Sequence, residues 1–394
     1  MKPLSRMLLT AAVSLLVTGT AVAWAESPRQ AGEIRPYRSE SPHPYGLGTS
    51  ARPVVWTDRV VSPGASFIRV HFTGLDLAPG DRLTVSSPDG SRVWTYTGKG
   101  PRGNGDLWAF AIDGDTAVVR IYGGRGVGQG YRIDAIGHGT ERLAPVPEVI
   151  CSTDGREDVA CHLRESGFAA AQAPVARLLF PSGGFLYLCT GWLAAGPNGS
   201  TLVTNNHCID KQSSVDGLQA TFNYQNTKCG GAVLATSTDY AGGLLLKTNN
   251  VNRHGHKMGL DYTLLTLQGD PEATWGELTP STRALAIGDP IWFIEHGGGG
   301  PKQVGYYEDA DHAVRCQIRT VDQTYGHSAV GSQAGYTCDS EGGSSGSPIV
   351  DSATGHVISL HHFGNVDTGL CLNSGTEMAA ICADAAGLLS CAAD

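Results

Sequence analysis

The chain has 394 residues, 41% of them apolar and 16% charged, with 53 glycines. That is enough for two domains, excludes a disordered chain and points to a loop-rich, all-β globular protein. A formal net charge of −9 argues against nucleic acid or an anionic membrane as the main partner, and ten cysteines argue against a reducing cytosol.

Lys2 and Arg6 precede an apolar run from Met7 to Val22, and Ala23-Trp24-Ala25 has the small residues of a cleavage site. Residues 1–25 are therefore predicted to be a secretory signal peptide, and the protein is expected to be extracellular or periplasmic. No later stretch is long and apolar enough to span a bilayer. Residues 26 to about 50 are rich in Pro, Ser, Gly and Arg and read as an unstructured lead-in. From Pro53 to about Gly139, period-two runs at Phe67–Phe72, Arg82–Val85, Val93–Tyr96, Ala117–Ile121 and Tyr131–Asp134 alternate with turn signals such as Pro79-Gly80-Asp81. This pattern predicts a small antiparallel β-sandwich without a catalytic constellation. A pro-domain is the first reading of it, and a retained carbohydrate- or protein-binding module is the alternative.

Arg142 to Glu148, RLAPVPE, marks the boundary, so that residues 26–145 and 146–394 form the two domains. Strands are predicted again at Val175–Leu179, Phe185–Leu188, Thr201–Val203, Thr221–Tyr224, Tyr262–Leu267, Ile291–Ile294 and Val357–Leu360, and a helix only within Glu377–Ser390. Two packed β-barrels fit this pattern and length.

Three stretches carry the chemistry. Thr204-Asn205-Asn206-His207-Cys208 follows a strand, and a disulfide from Cys208 to Cys189 would pin the chain beside His207; an imidazole held there can take a proton near neutral pH. Gly259-Leu260-Asp261-Tyr262 places a carboxylate just before an apolar strand, where it can orient an imidazole. Glu341 to Val350, EGGSSGSPIV, is a tight loop leading into a buried strand, able to expose the Ser345 hydroxyl and aim two backbone N–H groups at one point. Alone, His207 reads as a structural His beside a disulfide and Asp261 as a turn-capping Asp, while the Ser345 stretch reads equally as a nucleophile turn and as an ordinary Gly/Ser loop. Together they stand in the order His207, Asp261, Ser345, that of the chymotrypsin-like triad.

With these motifs the sequence resembles the secreted chymotrypsin-fold serine endopeptidases, and the bacterial lysyl endopeptidases in particular. CTGWL (Cys189–Leu193), TNNHC, FNYQNTKC (Phe222–Cys229), DYTLLTL and EGGSSGSPIV carry the likeness, which runs from about Val149 to the C-terminus. It implies a two-barrel protease domain behind the sandwich. His207 would be general base and then general acid, Asp261 its orienting group, Ser345 the nucleophile, and the N–H groups of Gly343 and Ser345 the oxyanion donors. It also implies disulfides Cys189–Cys208 and Cys151–Cys229. Proximity in the chain suggests Cys316–Cys338, and Cys161, Cys371, Cys382 and Cys391 are left unpaired. Ser344 stands where animal trypsins carry an Asp that receives a new N-terminus, so activation by N-terminal insertion is not expected; residues 26 to about 145 are expected to silence the enzyme or help it fold.

Asp339, six residues before Ser345, occupies the position of the trypsin pocket carboxylate and predicts a basic P1 residue. Glutamyl endopeptidases of related fold can also carry Asp there and use a pocket His; His361 and His362 offer one, so an acidic P1 is the alternative. The acidic residue by which lysyl endopeptidases recognise Lys falls near Thr376, which is not acidic. His254 and His256 read as a loop rather than metal ligands, Gly297–Gly300 as a border of the cleft rather than a phosphate loop, and Asn198-Gly199-Ser200 as a glycosylation sequon. No cofactor or metal is expected. A monomer acting on protein or peptide substrates is expected, with a catalytically dead binding protein of the same fold as the rival.

Overall fold

A strand, Arg29–Glu40, stands where the sequence predicts an unstructured lead-in. The computed structural model describes residues 28–124, 126–140, 147–197, 199, 201–250, 259–325, 328–367 and 369–393; the predicted signal peptide, most of the predicted domain boundary, Asn198, Ser200, His254 and His256 lie outside them. The local composition of Arg29–Glu40 argues against a strand, but partners on both sides override it. It pairs with Gly130–Gly139 on one side and with Phe185–Leu188 on the other. Pro36, which lacks an N–H, sits where the register shifts, the position a strand tolerates.

The strands Arg29–Glu40, Gly130–Gly139 and Phe67–Asp76, with short pieces at Leu107–Trp108 and Ile112–Asp113, form one face of the predicted sandwich. The other face is a four-stranded sheet in the order Val54–Val61, Thr116–Tyr122, Arg82–Ser86, Val93–Thr97. Alternate residues meet between the faces, among them Ile68, Val70, Phe72, Leu83, Val119 and Ile121.

Six antiparallel strands then close a barrel in the order Val175–Ser182, Gln219–Phe222, Thr238–Asn249, Tyr262–Leu267, Thr201–Thr204, Phe185–Ala194, the last pairing back onto the first. An eight-stranded sheet follows as a half-barrel: Arg156–Asp158, Gln303–Gly305, Ile291–Glu295, Pro348–Asp351, Val357–Asp367, Leu372–Glu377, Gln333–Tyr336, Ile318–Gln323. One apolar cluster crosses between the two, joining Trp192, Val203 and Leu264 to Trp292, Val350 and Leu360. The all-β, two-barrel architecture behind a β-sandwich is the one the sequence predicts. The C-terminal helix is confined to Met378–Asp384.

The sandwich is docked, not merely tethered. Arg69 is fully buried, and its guanidinium donates to the carbonyls of Ala109 in the sandwich and Gly217 in the barrel, at 3.0 and 2.9 Å. Arg102 pairs with Asp216 across the same seam at 2.6 Å.

Five disulfides close the chain: Cys151–Cys371, Cys161–Cys229, Cys189–Cys208, Cys316–Cys338 and Cys382–Cys391. The expected Cys151–Cys229 pair is corrected. Asp158 accepts hydrogen bonds from Asn226 Nδ2 and from the N–H of Gly230, at 2.8 and 2.9 Å, which draws Cys229 to Cys161. Asp339 accepts the N–H of Cys151 at 3.0 Å and holds that cysteine against the half-barrel, beside Cys371.

Candidate active site

His207 leaves the strand Thr201–Thr204 in a short turn, closed by the Ile209 N–H donating to the Asn205 carbonyl at 3.1 Å. Its Nδ1 lies 2.7 Å from Asp261 Oδ2, and its main-chain N–H donates to Oδ1 at 2.9 Å. Both side chains are buried, at 2% and 0% exposure. Asp261 sits just before the strand Tyr262–Leu267 with φ of 49°, a left-handed conformation that costs a non-glycine residue about 1–2 kcal/mol. The two bonds to its carboxylate and one from Asn205 Nδ2 to its carbonyl, at 2.8 Å, hold it there. Burial would raise the Asp261 pKa, but the charge and hydrogen bond of His207 and the hydrogen bond of His362 outweigh it and hold the carboxyl far below the usual range.

His361 and His362 point to opposite sides of the strand Val357–Asp367, as neighbours on a strand must. His361 is packed in the half-barrel, its Nδ1 2.7 Å from the Tyr336 hydroxyl and its ring centroid 4.6 Å from that of Phe293. His362 faces the cleft side, with Nδ1 3.2 Å from Asp261 Oδ2 and Nε2 against Gln333 Oε1. Both rings are fully buried, so neither is open to a substrate side chain in this state. Burial lowers the pKa of His362 against the pull of Asp261. Thr376, where an acidic specificity residue was sought, accepts from Gln333 Nε2 at 3.2 Å and donates to the Leu260 carbonyl at 2.9 Å. It holds the residue next to Asp261 instead.

Ser345 stands at the end of a turn built by short-range bonds. The Ser344 N–H donates to the Glu341 carbonyl at 2.9 Å, and the Ser347 N–H to the Ser344 carbonyl at 3.0 Å. The Ser345 carbonyl is held by the Thr190 N–H at 2.9 Å, which sets the turn against the Cys189–Cys208 bridge beside His207. Gly346 permits this approach, because a Cβ there would lie 2.2 Å from the Thr190 carbonyl oxygen. Ser345 Oγ and His207 Nε2 are both buried and neither has a hydrogen-bond partner among the described residues. The expected Ser–His hydrogen bond is thus not made in this state, while the His–Asp bond is.

The N–H groups of Gly343 and Ser345 donate no hydrogen bond among the described residues. The Gly298 N–H, in the Gly297–Gly300 stretch, donates to the Gly342 carbonyl at 2.9 Å. In a trans peptide the carbonyl and the following N–H point oppositely, so this bond turns the Gly343 N–H away from Gly298. Gly298 and Gly343 both need positive φ, 63° and 108°. Thr190 Oγ1 adds a bond to the Gly343 carbonyl at 2.9 Å. The reading of Gly297–Gly300 as a border of the cleft placed Gly298 near the site, but the support that Gly298 and Thr190 give the turn is made through tertiary contacts and is not written in their local sequence.

Asp339 is fully buried, and its two oxygens accept the N–H groups of Cys151 and Gly155 at 3.0 and 2.7 Å. In this state it is closed to solvent, and two of its acceptor sites tie the 151–155 loop to the wall. Burial raises its pKa to about 6 against those two bonds. An unforeseen group lies behind the nucleophile turn. Arg156 Nη1 is 3.0 Å from Glu341 Oε2 and 3.3 Å from Glu295 Oε1, with Nη2 2.7 Å from Asp154, all but Asp154 nearly buried. Among the described residues no cluster suited to a metal ion is present.

A closed barrel and a half-barrel, with a serine turn carrying two free N–H groups beside a buried His–Asp pair, define the class: a chymotrypsin-like serine endopeptidase. Residues 151–374 match the family model described as lysyl endopeptidase, C-terminal domain, which covers more than half of the chain. The chain belongs to that family. It is 25% identical over 342 residues to the secreted RxLR effector protein 73 of Plasmopara viticola, covering 83% of this chain and 82% of that protein. It is 26% identical over 301 residues to a lysyl endopeptidase of Pseudomonas aeruginosa, covering 69% of this chain and 59% of that protein. Among solved structures, a Glu endopeptidase is 18% identical at a TM-score of 0.42 and covers 60% of this chain and 96% of its own. A thermostable serine protease from an extremophilic microorganism is 17% identical at 0.38, covering 53% and 93%.

Proposed function

We propose that this serine endopeptidase cleaves peptide bonds through His207, Asp261 and Ser345. The observation that carries the reading is the buried His207–Asp261 bond, at 2.7 Å, with the opposite ring nitrogen unpartnered beside the Ser345 turn. Asp261 holds the proton on Nδ1, which leaves Nε2 as the base. His207 takes the Ser345 Oγ proton as the oxygen adds to the scissile carbonyl, and the N–H groups of Gly343 and Ser345 receive the oxyanion. His207 then gives the proton to the leaving amine, and water hydrolyses the acyl-enzyme with His207 as base again. In an unliganded site the Ser–His bond is commonly long or unmade and tightens once substrate fills the cleft. Wild-type protein should be labelled by an aryl phosphonate at Ser345, located by peptide mass mapping, with labelling abolished in Ser345→Ala. Label on another residue, or none, would overturn the assignment and favour a dead binding protein.

Secretion follows in the same reading: five disulfides suit an oxidising compartment, to which residues 1–25 would direct the chain. Peptides and proteins are the proposed substrates, cleaved after a basic P1 residue. Asp339 supports the preference, since an ionised carboxylate has more acceptor sites than its two backbone bonds occupy. With a pKa raised to about 6, Asp339 is neutral below that value and charged above it. The ratio of turnover of Lys-P1 to Ala-P1 peptides should thus rise as pH passes through about 6, and His207 cancels in the ratio. A flat ratio, or preference for a Glu-P1 peptide, would reject a basic P1.

A further inference from the structure

The strand Phe185–Ala194 is paired along one side with Val175–Ser182. On its other side only Trp192–Ala194 is paired within the barrel, to Thr201–Val203. The stretch Phe185–Leu188 would therefore be an open edge, and the N-terminal strand fills it: Arg29 stands opposite Leu188, Gln30 opposite Tyr187, Gly32 opposite Leu186 and Glu33 opposite Phe185. Two residues past Leu188, Thr190 donates its N–H to the Ser345 carbonyl at 2.9 Å and its hydroxyl to the Gly343 carbonyl at 2.9 Å. The filled edge thus leads straight out of the nucleophile turn. Arg29, buried, closes the near end: its Cδ is 3.8 Å from where a Cβ on Gly342 would stand, one residue from the Gly343 oxyanion donor. Arg29, Leu188, Gly298 and Gly299 share the wall of a cavity of about 300 Å³ between sandwich and barrel.

An extended peptide lying on Ser345 and leaving along this strand would need the main-chain N–H and C=O groups of Phe185–Leu188, as in any strand addition to a sheet edge. We infer that the segment Arg29–Glu33 is an internal competitor of the substrate: it occupies the strand edge that would otherwise bind the polypeptide on one side of the scissile bond, and its release opens that side of the cleft. The inference rests on Ser345 as nucleophile. It gives the sandwich a physical role. Docked through Arg69 and Arg102, the sandwich presents the strand to the edge at high effective concentration, so an external peptide competes poorly until the strand lets go.

The test uses the full chain. Gly32→Val loosens the strand, because a Cβ at Gly32 would lie 2.3 Å from the His138 carbonyl oxygen. Gln30→Cys with Tyr187→Cys locks it, these residues being directly opposed across an antiparallel pair. Two substrates are compared: a peptide extending four residues to either side of the scissile bond, and a small ester with nothing beyond its leaving group. The Gly32 variant should raise kcat/KM for the extended peptide by about tenfold or more and the disulfide lock lower it by about as much, with ester turnover within about twofold throughout. If Gly32→Val fails to fold, the lock alone decides. A peptide-to-ester ratio that is unchanged by the variants, with Ser345 still labelled by the phosphonate, overturns the inference alone. Absence of labelling in every protein overturns the serine-nucleophile reading and the inference with it.

Discussion

Replacing Asp261 by Asn should lower kcat by about four orders of magnitude, with KM little changed. The side chains are nearly isosteric, so the loss comes from hydrogen-bond polarity. Asp261 accepts at both oxygens, from the His207 main-chain N–H at 2.9 Å and from its Nδ1 at 2.7 Å. An amide has one acceptor. With its oxygen on the main-chain N–H, its NH₂ faces Nδ1 and forces the ring proton onto Nε2, where it blocks uptake of the Ser345 proton. With the amide turned round, donor faces donor in a fully buried place. Phosphonate labelling of Ser345 should slow in parallel with kcat. A variant that keeps within tenfold of wild-type kcat would remove Asp261 from the mechanism.

Arg156→Met should cost about 3–5 kcal/mol of stability, read as a fall in the urea midpoint with an unchanged slope. Arg156 is 4% exposed and stands between Glu295, at 0%, and Glu341, at 11%. Burial alone would lower its pKa, but Asp154, Glu295 and Glu341 more than compensate and hold it well above the usual value. Without the cation two carboxylates are left against each other out of water. Adding Glu341→Gln should recover part of the loss. Because Glu341 opens the turn that ends at Ser345, its carbonyl holding the Ser344 N–H at 2.9 Å, loss of the ion cluster is expected to loosen that turn as well. A stability change below about 1 kcal/mol would show the cluster to be incidental.

How far the site could be read in advance depended on where each residue's partners lie. Tyr262–Leu267, TLLTL behind an aromatic, is legible as a strand because its apolar residues, buried in the barrel and at its seam with the half-barrel, form a run of strand length in the sequence itself. Leu372–Glu377, LNSGTE, was not, because its interior is polar: Asn373, Ser374 and Thr376 are fully buried on bonds to Cys338, Gln333 and Leu260, none near in the chain. Gln333–Tyr336 failed for a similar reason, a four-residue strand with a glycine whose Gln333 is bonded to His362. Asp339 illustrates the limit for single residues: its spacing from Ser345 is a sequence property, but which groups meet its oxygens is not.

The sequence by itself determined the class of the protein, through apolar periodicity that only β-structure can bury and through three local motifs, each setting one reactive side chain at a strand end or turn. The tertiary structure alone decided that Cys151 meets Cys371, that His362 joins His207 at Asp261 while His361 turns inward, and that Arg29–Glu40 is a strand lying against the active-site barrel. The physical reason is range. Periodicity and turn chemistry act over a few residues and are written in order, whereas a strand edge, a disulfide or a buried ion pair is satisfied by whatever distant group the closed barrels bring to it.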